Sequence, residues 1–310
     1  MTVIYVASDE AGAGKTAVCT CLAELLNRRW VKAATVHPLG PGSLPAEGMT
    51  DGLLGKVVSQ VKALADKNQV VLVEGTNALS SGDGRRLAEA LDAKVLAVIR
   101  HRHGMGATAL GPWPAMHGDR LLGFLFNERG RYLDTEVKTS LLPSLVSAKL
   151  TSFGVIPEDR ALLAVTVGQI ADHLGGRFIT DENNLDGLVE YFMVGGWTMD
   201  EGRLYFETRQ NKAVIMRGDR PDIQMSALST PTAVMVCTQG LEPIEYVKYE
   251  AQEQGAAVMV VPTGTVATME ALDTLQAKAT FDHPAKLRRF RELLERHVDV
   301  KGLLAALGAA

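Results

Sequence analysis

The first half of the chain alternates two hydrophobic rhythms. Short runs with an apolar residue at nearly every position are followed by stretches whose apolar residues recur every three or four positions. The runs predict strands at 2–7, 33–36, 70–73, 94–99, 121–126 and 153–156. The stretches predict helices at 15–27, 54–66, 85–91, 134–150 and 162–174. Val57, Val58, Val61, Leu64 and Ala65 form one such helical stripe. Strands that are apolar throughout are covered on both faces, so this half reads as a parallel sheet flanked by helices. Residues 40–48, rich in Gly and Pro, and 101–118 read as irregular loops.

The pattern changes after Gly175-Gly176, a pair suited to end a helix. Residues 185–193 read as a helix. Three similar units follow, each a strand, a short polar turn and a helix. The strands are 213–216, 233–236 and 258–261, and the turns contain Gly218-Asp219-Arg220, Thr238-Gln239-Gly240 and Thr263-Gly264-Thr265. This predicts a second, smaller α/β domain, with 1–175 as the first domain and 176–310 as the second. Residues 290–304 read as a closing amphipathic helix. Leu287, Phe290, Leu293, Leu294 and Val298 line its apolar stripe, and Lys286, Arg288, Arg289, Arg291 and Arg296 make it basic. That is the pattern of a docked helix with a solvated face.

Composition narrows the function classes. The 310 residues are 46% hydrophobic and 22% charged, as in globular domains with a packed core. The formal net charge of −4 argues against a nucleic-acid partner, which calls for basic groups. No apolar run approaches the roughly 20 residues of a membrane span, and the N-terminal segment turns polar at Ser8, unlike a signal peptide. Of the three cysteines, Cys19 and Cys21 lie two apart in a helix and cannot share a metal. Three small buried thiols in a cytoplasmic protein are expected.

The stretch with evident chemistry is Ser8-Asp9-Glu10-Ala11-Gly12-Ala13-Gly14-Lys15-Thr16-Ala17, between a buried strand and a helix. That is the setting of a phosphate-binding loop. Gly12 and Gly14 let the backbone curl with its N–H groups aimed at one point. The helix N-terminus adds a positive dipole. Lys15 supplies a charge for outer phosphates, and Thr16 a hydroxyl for Mg²⁺. Asp9 stands where the strict pattern has its first Gly. Val70-Val71-Leu72-Val73-Glu74-Gly75 predicts a companion strand whose Glu74 reaches the same edge and holds Mg²⁺, with Gly75 allowing close approach to phosphates.

These residues resemble the dethiobiotin synthetase-like branch of the P-loop proteins. That branch also departs from the strict first Gly, often with an acid where Glu10 stands. Glu74-Gly75 matches its Glu-Gly pair, and Asn127 in Leu122-Gly123-Phe124-Leu125-Phe126-Asn127 matches an Asn near the purine. The resemblance implies ATP and Mg²⁺ held by Glu10, Ala11, Gly12, Ala13, Gly14, Lys15, Thr16, Ala17, Glu74, Gly75 and Asn127, with the metal on Thr16 and Glu74. The ligase has Lys-Pro at the end of its second strand, where this chain has His37-Pro38. An imidazole replaces a fixed ammonium there, which counts against the ligase reaction.

Further on, Gly154-Val155-Ile156-Pro157-Glu158-Asp159-Arg160 is similar to the N-terminal region of long phosphate acetyltransferases, where such a domain precedes a DRTGG domain. Gly218-Asp219-Arg220-Pro221-Asp222-Ile223-Gln224 and Cys237-Thr238-Gln239-Gly240 resemble the DRTGG signature in two pieces, with Thr-Gln-Gly for Thr-Gly-Gly. The catalytic acetyltransferase domain has no place in 310 residues, so the resemblance implies a free-standing regulatory half. It also implies a partner enzyme of acyl-phosphate metabolism, and a homo-oligomer is expected.

In the second domain the three turns should gather at the C-terminal ends of the strands, a crevice for a second ligand. Gly218, Asp219, Arg220, Thr238, Gln239 and Gly240 are its candidate residues. Asp219 could accept backbone N–H groups or pair with Asp222, and Arg220 could bind an anion; a solvated turn is the plainer reading. His101, His103 and His117 lack a carboxylate or Cys at ligand spacing, so their loop reads as a mobile cover over the nucleotide rather than a metal site. Two functions follow. One is an ATP- and Mg²⁺-binding regulatory or sensor protein; the other is an ATP-dependent ligase acting on a small carboxylate or amine, or a weak ATPase.

Overall fold

The computed structural model describes residues 2–37, 49–75, 82–180, 184–196, 202–276 and 279–308. Pro38 and the predicted loop at 40–48 lie outside the described residues. The chain runs β1 (Thr2–Ala7), α1 (Lys15–Arg28), β2 (Ala33–Val36), α2 (Asp51–Ala65), β3 (Val70–Glu74), α3 (Asp83–Ala90), β4 (Lys94–Arg100), α4 (Pro112–His117), β5 (Leu121–Arg129), α5 (Asp134–Glu136), a π turn (Val137–Leu141), α6 (Leu142–Ser147) and β6 (Ser152–Pro157). It continues through β7 (Val165–Thr166), α7 (Val167–Leu174), β8 (Arg177–Phe178), β9 (Leu188–Val189), β10 (Tyr191–Val194), α8 (Gly202–Glu207), β11 (Lys212–Arg217), α9 (Pro221–Leu228), β12 (Thr232–Thr238), α10 (Glu245–Glu253), β13 (Ala257–Val260) and α11 (Thr265–Leu275). It closes with α12 (Pro284–His297) and α13 (Val300–Ala306).

Two units result, 1–159 with 284–310, and 160–283. In the first, six parallel strands lie in the order β2-β3-β1-β4-β5-β6. Val3 to Ala7 are all buried, so both faces of β1 are covered. Val3, Tyr5, Ala7, Val71 and Val73 face one core with Val57, Val61 and Leu87. β1 lies between β3 and β4, so the loop after it sits mid-sheet at the C-terminal edge, where α/β sheets bind ligands.

The expected boundary at Gly175 differs from this division at both ends. α12 packs on α1, and Arg291 donates to Glu24 at 2.6 Å, which ties the end of the chain to the first unit. Residues 160–175 join the second unit. There β7 pairs with β9, and Thr166 caps α7 in a reciprocal capping box with Gln169.

The second unit carries a sheet in the order β10-β11-β12-β13-β8, parallel except for β8. The predicted helix at 185–193 is instead β9 and β10. Its spacing fits either period, and parallel pairing of Tyr191–Val194 with Lys212–Ile215 wins. The predicted helix at 162–174 is shortened by a 3₁₀ turn and β7. The stretch 101–118 contains a 3₁₀ turn at Ala107–Leu110 and α4, so it is helical where an irregular cover was expected. The predicted final helix breaks at Val298, where a bridge to Gly154 forms and Asp299 begins α13 as its N-cap.

Candidate functional site

The loop from Ser8 to Gly14 joins β1 to α1. Gly12 and Gly14 hold φ of 72° and 95°, left-handed values that only glycine adopts freely. A Cβ on Gly14 would lie 2.3 Å from Asn127 Nδ2. That amide nitrogen donates to the carbonyl of Ala13 at 3.0 Å, so Asn127 at the end of β5 braces the loop. No side chain caps α1, and its first turn contains no acid. An acid-free first turn leaves the positive end of the helix dipole without an offsetting charge from its own side chains.

Lys15 is buried, and its ammonium donates to Ser8 Oγ at 2.6 Å. Burial lowers its pKa, against the opposing pull of Glu74. Thr16 donates its hydroxyl to Glu74 Oε1 at 2.6 Å, and the other Glu74 oxygen meets His37 Nδ1. β3 thus brings Glu74 to the same edge as Lys15 and Thr16. Gly75 is close to Tyr5 rather than to the loop: an added Cβ would stand 2.5 Å from that ring. Ser8, His37, Arg100, Arg102 and Glu128 also converge here. The two arginines follow the last apolar residue of β4, which was the available signal for them.

The three turns of the second unit do meet. Gln239 and Gly240 hold φ of 65° and 70°. Gln239 N–H donates to Thr263 O and Gly240 N–H to Val261 O, each at 2.8 Å. Thr238 Oγ1 lies 3.1 Å from Thr265 Oγ1. Gly218 is indispensable by space, since a Cβ would fall 1.8 Å from Leu241 O. The carboxylates do not pair with each other. Asp219 accepts from Arg217 at 2.5 and 2.9 Å, and Asp222 from Arg220 at 2.6 and 2.9 Å. Those hydrogen bonds lower both carboxyl pKa values. Arg220 is therefore engaged within its own turn.

Among the described residues no group of His, Cys, Asp and Glu side chains forms a metal cluster. His103 meets Glu136, His101 is buried, and His117 stacks on Trp113 with ring centroids 5.8 Å apart. The three cysteines are buried thiols, and burial raises the pKa of each. No helix among the described residues is long and apolar enough to cross a membrane.

Known proteins resemble this chain within its second unit and over most of its length. Residues 169–275 match the DRTGG domain. The chain is 21% identical over 283 residues to a phosphate acetyltransferase of Synechocystis sp., covering 84% of this chain and 40% of that protein. It is 24% identical over 278 residues to one of Nitratidesulfovibrio vulgaris, covering 80% and 38%. The chain thus spans about two-fifths of the length of these curated relatives. Among solved structures, the MinD cell division protein of Aquifex aeolicus matches at 17% identity with a TM-score of 0.39, over 53% of this chain and 84% of that one. The first unit is a parallel sheet flanked by helices with a Gly-rich loop before α1, and the chain joins it to a region that matches the DRTGG domain, in an arrangement similar to part of the phosphate acetyltransferases.

Proposed function

We propose that the first unit binds ATP with Mg²⁺, and that the protein is a nucleotide-responsive regulatory module for an enzyme of acyl-phosphate metabolism. The carrying observation is the convergence of the buried Lys15 ammonium, the uncapped start of α1 and the Thr16–Glu74 oxygen pair at one sheet edge. The amides from Glu10 to Ala17 and Lys15 would take the phosphates. Asn127, which braces the loop at the Ala13 carbonyl, would lie near the purine. A hydroxyl and a carboxylate oxygen already in contact are the hard donors that Mg²⁺ prefers, so these residues fit the metal. Bound there, Mg²⁺ would neutralise charge on the phosphates.

The turns at Gly218–Arg220 and Thr238–Gly240 would take a second ligand. A regulatory role requires two states that differ in affinity for the two ligands. The contact of His37 with Glu74 favours this reading over the ligase, since it commits the imidazole to the carboxylate rather than to a substrate. Calorimetry with ATP, ADP and AMP in Mg²⁺ tests it. Binding by the wild type that Lys15→Ala abolishes is expected. Absence of binding, or equal binding by Lys15→Ala, refutes it.

A further inference from the structure

Beside the phosphate loop stands a four-residue charge cluster that the roles above leave unexplained. Arg100 donates to the Gly12 carbonyl at 2.8 Å, and its Nε meets Glu128 Oε2 at 2.7 Å. Its Nη1 lies 3.5 Å from Glu10 Oε1, and Arg102 pairs with the other Glu10 oxygen. Glu128 reaches Arg100 from a backbone with φ of 55°, a left-handed value uncommon outside glycine. Such a residue persists where its surroundings fix it, often at ligand sites.

Glu10 is the weakly satisfied member. Its Oε1 is buried and accepts no hydrogen bond among the described residues, although Arg100 stands at ion-pair distance. A buried carboxylate oxygen without a donor is unfavourable. Its position, two residues before Gly12 in the loop, places an anion between two guanidiniums next to the amides that face the incoming phosphates. Guanidiniums pair with phosphate by the same bidentate geometry as with carboxylate, and a phosphate carries more charge.

We propose that Arg100 and Arg102 form an anion clamp which Glu10 fills in the absence of ligand, and from which the outermost phosphate of a polyphosphate displaces it. This rests on the phosphate-loop reading above and adds the basis of selectivity: a nucleoside triphosphate reaches the clamp and a monophosphate does not. Arg100 stays tied to Gly12 and Glu128, while Arg102, whose contact is with Glu10 alone among the described ion pairs, changes partner. Ligand occupancy is thereby converted into movement of Glu10 and of the residues after β4, the element a regulatory module needs.

The test is calorimetric titration of the full chain with ATP, AMP and inorganic tripolyphosphate, using wild type, Glu10→Gln, Arg102→Gln and the double variant. Both positions are partly exposed, and circular dichroism checks that each variant is folded. Glu10→Gln removes the internal competitor and should tighten ATP and tripolyphosphate about tenfold while leaving AMP within twofold, the size of one charge-assisted contact. Arg102→Gln should weaken both polyphosphates about tenfold, spare AMP, and cancel the gain from Glu10→Gln in the double variant. ATP binding that Glu10→Gln weakens, or that neither variant alters, overturns the clamp and leaves the nucleotide reading standing. Tripolyphosphate binding that responds as described, without ATP binding, supports the clamp and refutes the nucleotide reading. Absence of binding by all three ligands refutes both.

Discussion

Lys212 at the start of β11 offers a quantitative test of the second unit. Its side chain is fully buried, and its ammonium donates to the carbonyls of Pro231 at 2.6 Å and Arg209 at 3.3 Å. No carboxylate pairs with it in the described ion pairs. Burial pushes its pKa down from 10.5 to about 8. The folded state therefore binds fewer protons than the unfolded state between those values, and stability should rise with pH through that window. Below pH 8 the whole penalty is present, about 3 kcal/mol at 1.36 kcal/mol per pH unit. Between pH 7 and pH 10 most of it, about 2–3 kcal/mol, should be relieved. Lys212→Met has no such proton to lose, although it leaves two carbonyls without their donor at roughly 1 kcal/mol each. Relative to wild type, the variant should therefore lose about 2–3 kcal/mol of stability between pH 7 and pH 10, whatever its offset at pH 7. Guanidinium titration read by pulsed labelling of Cys237, buried on the neighbouring β12, follows this unit. A difference between the two proteins that stays constant from pH 7 to pH 10 would show that Lys212 is not strained by its burial.

Two glycines make sharper geometric predictions. Gly218→Ala places a Cβ 1.8 Å from a backbone carbonyl that cannot swing aside, and thermal unfolding should report a loss above about 3 kcal/mol. Gly14→Ala combines a φ of 95° with a contact of 2.3 Å to Asn127 Nδ2, and should destabilise by about 2 kcal/mol. Adding Asn127→Ala should return the steric part of that loss but not the backbone part; full additivity of the two changes would contradict the contact.

How much of this was legible in the sequence depends on which interaction fixes each element. The inner strands β1, β3 and β4 were visible because nearly every residue is apolar and buried, as in strands covered on both faces. The Gly-rich turn before α1 was visible because its residues are local: Gly12, Gly14, Lys15 and Thr16 are neighbours in the chain. Glu74 could be placed because it ends an apolar run. What stayed hidden depends on contacts between distant positions. Tyr191–Val194 is a strand through pairing with Lys212–Ile215 of β11, and not through its own period. The return of α12 to the first unit comes from packing on α1, which an amphipathic stripe announces without naming its partner. Arg100 and Arg102 are far from Glu10 in the chain, and the fold sets them beside it. Asp219 and Asp222 had visible arginine neighbours at Arg217 and Arg220, and the two-residue spacing that pairs each acid with its arginine was there to be read.

The central claim is that backbone amides at the start of α1, together with Lys15, receive a polyphosphate. Hydrogen–deuterium exchange of the intact protein with and without ATP and Mg²⁺ tests it at those atoms. Slower exchange in the peptide covering Gly12 to Thr16, lost in Lys15→Ala, is the predicted result. Unchanged exchange in that peptide at ligand concentrations that saturate binding would contradict the account.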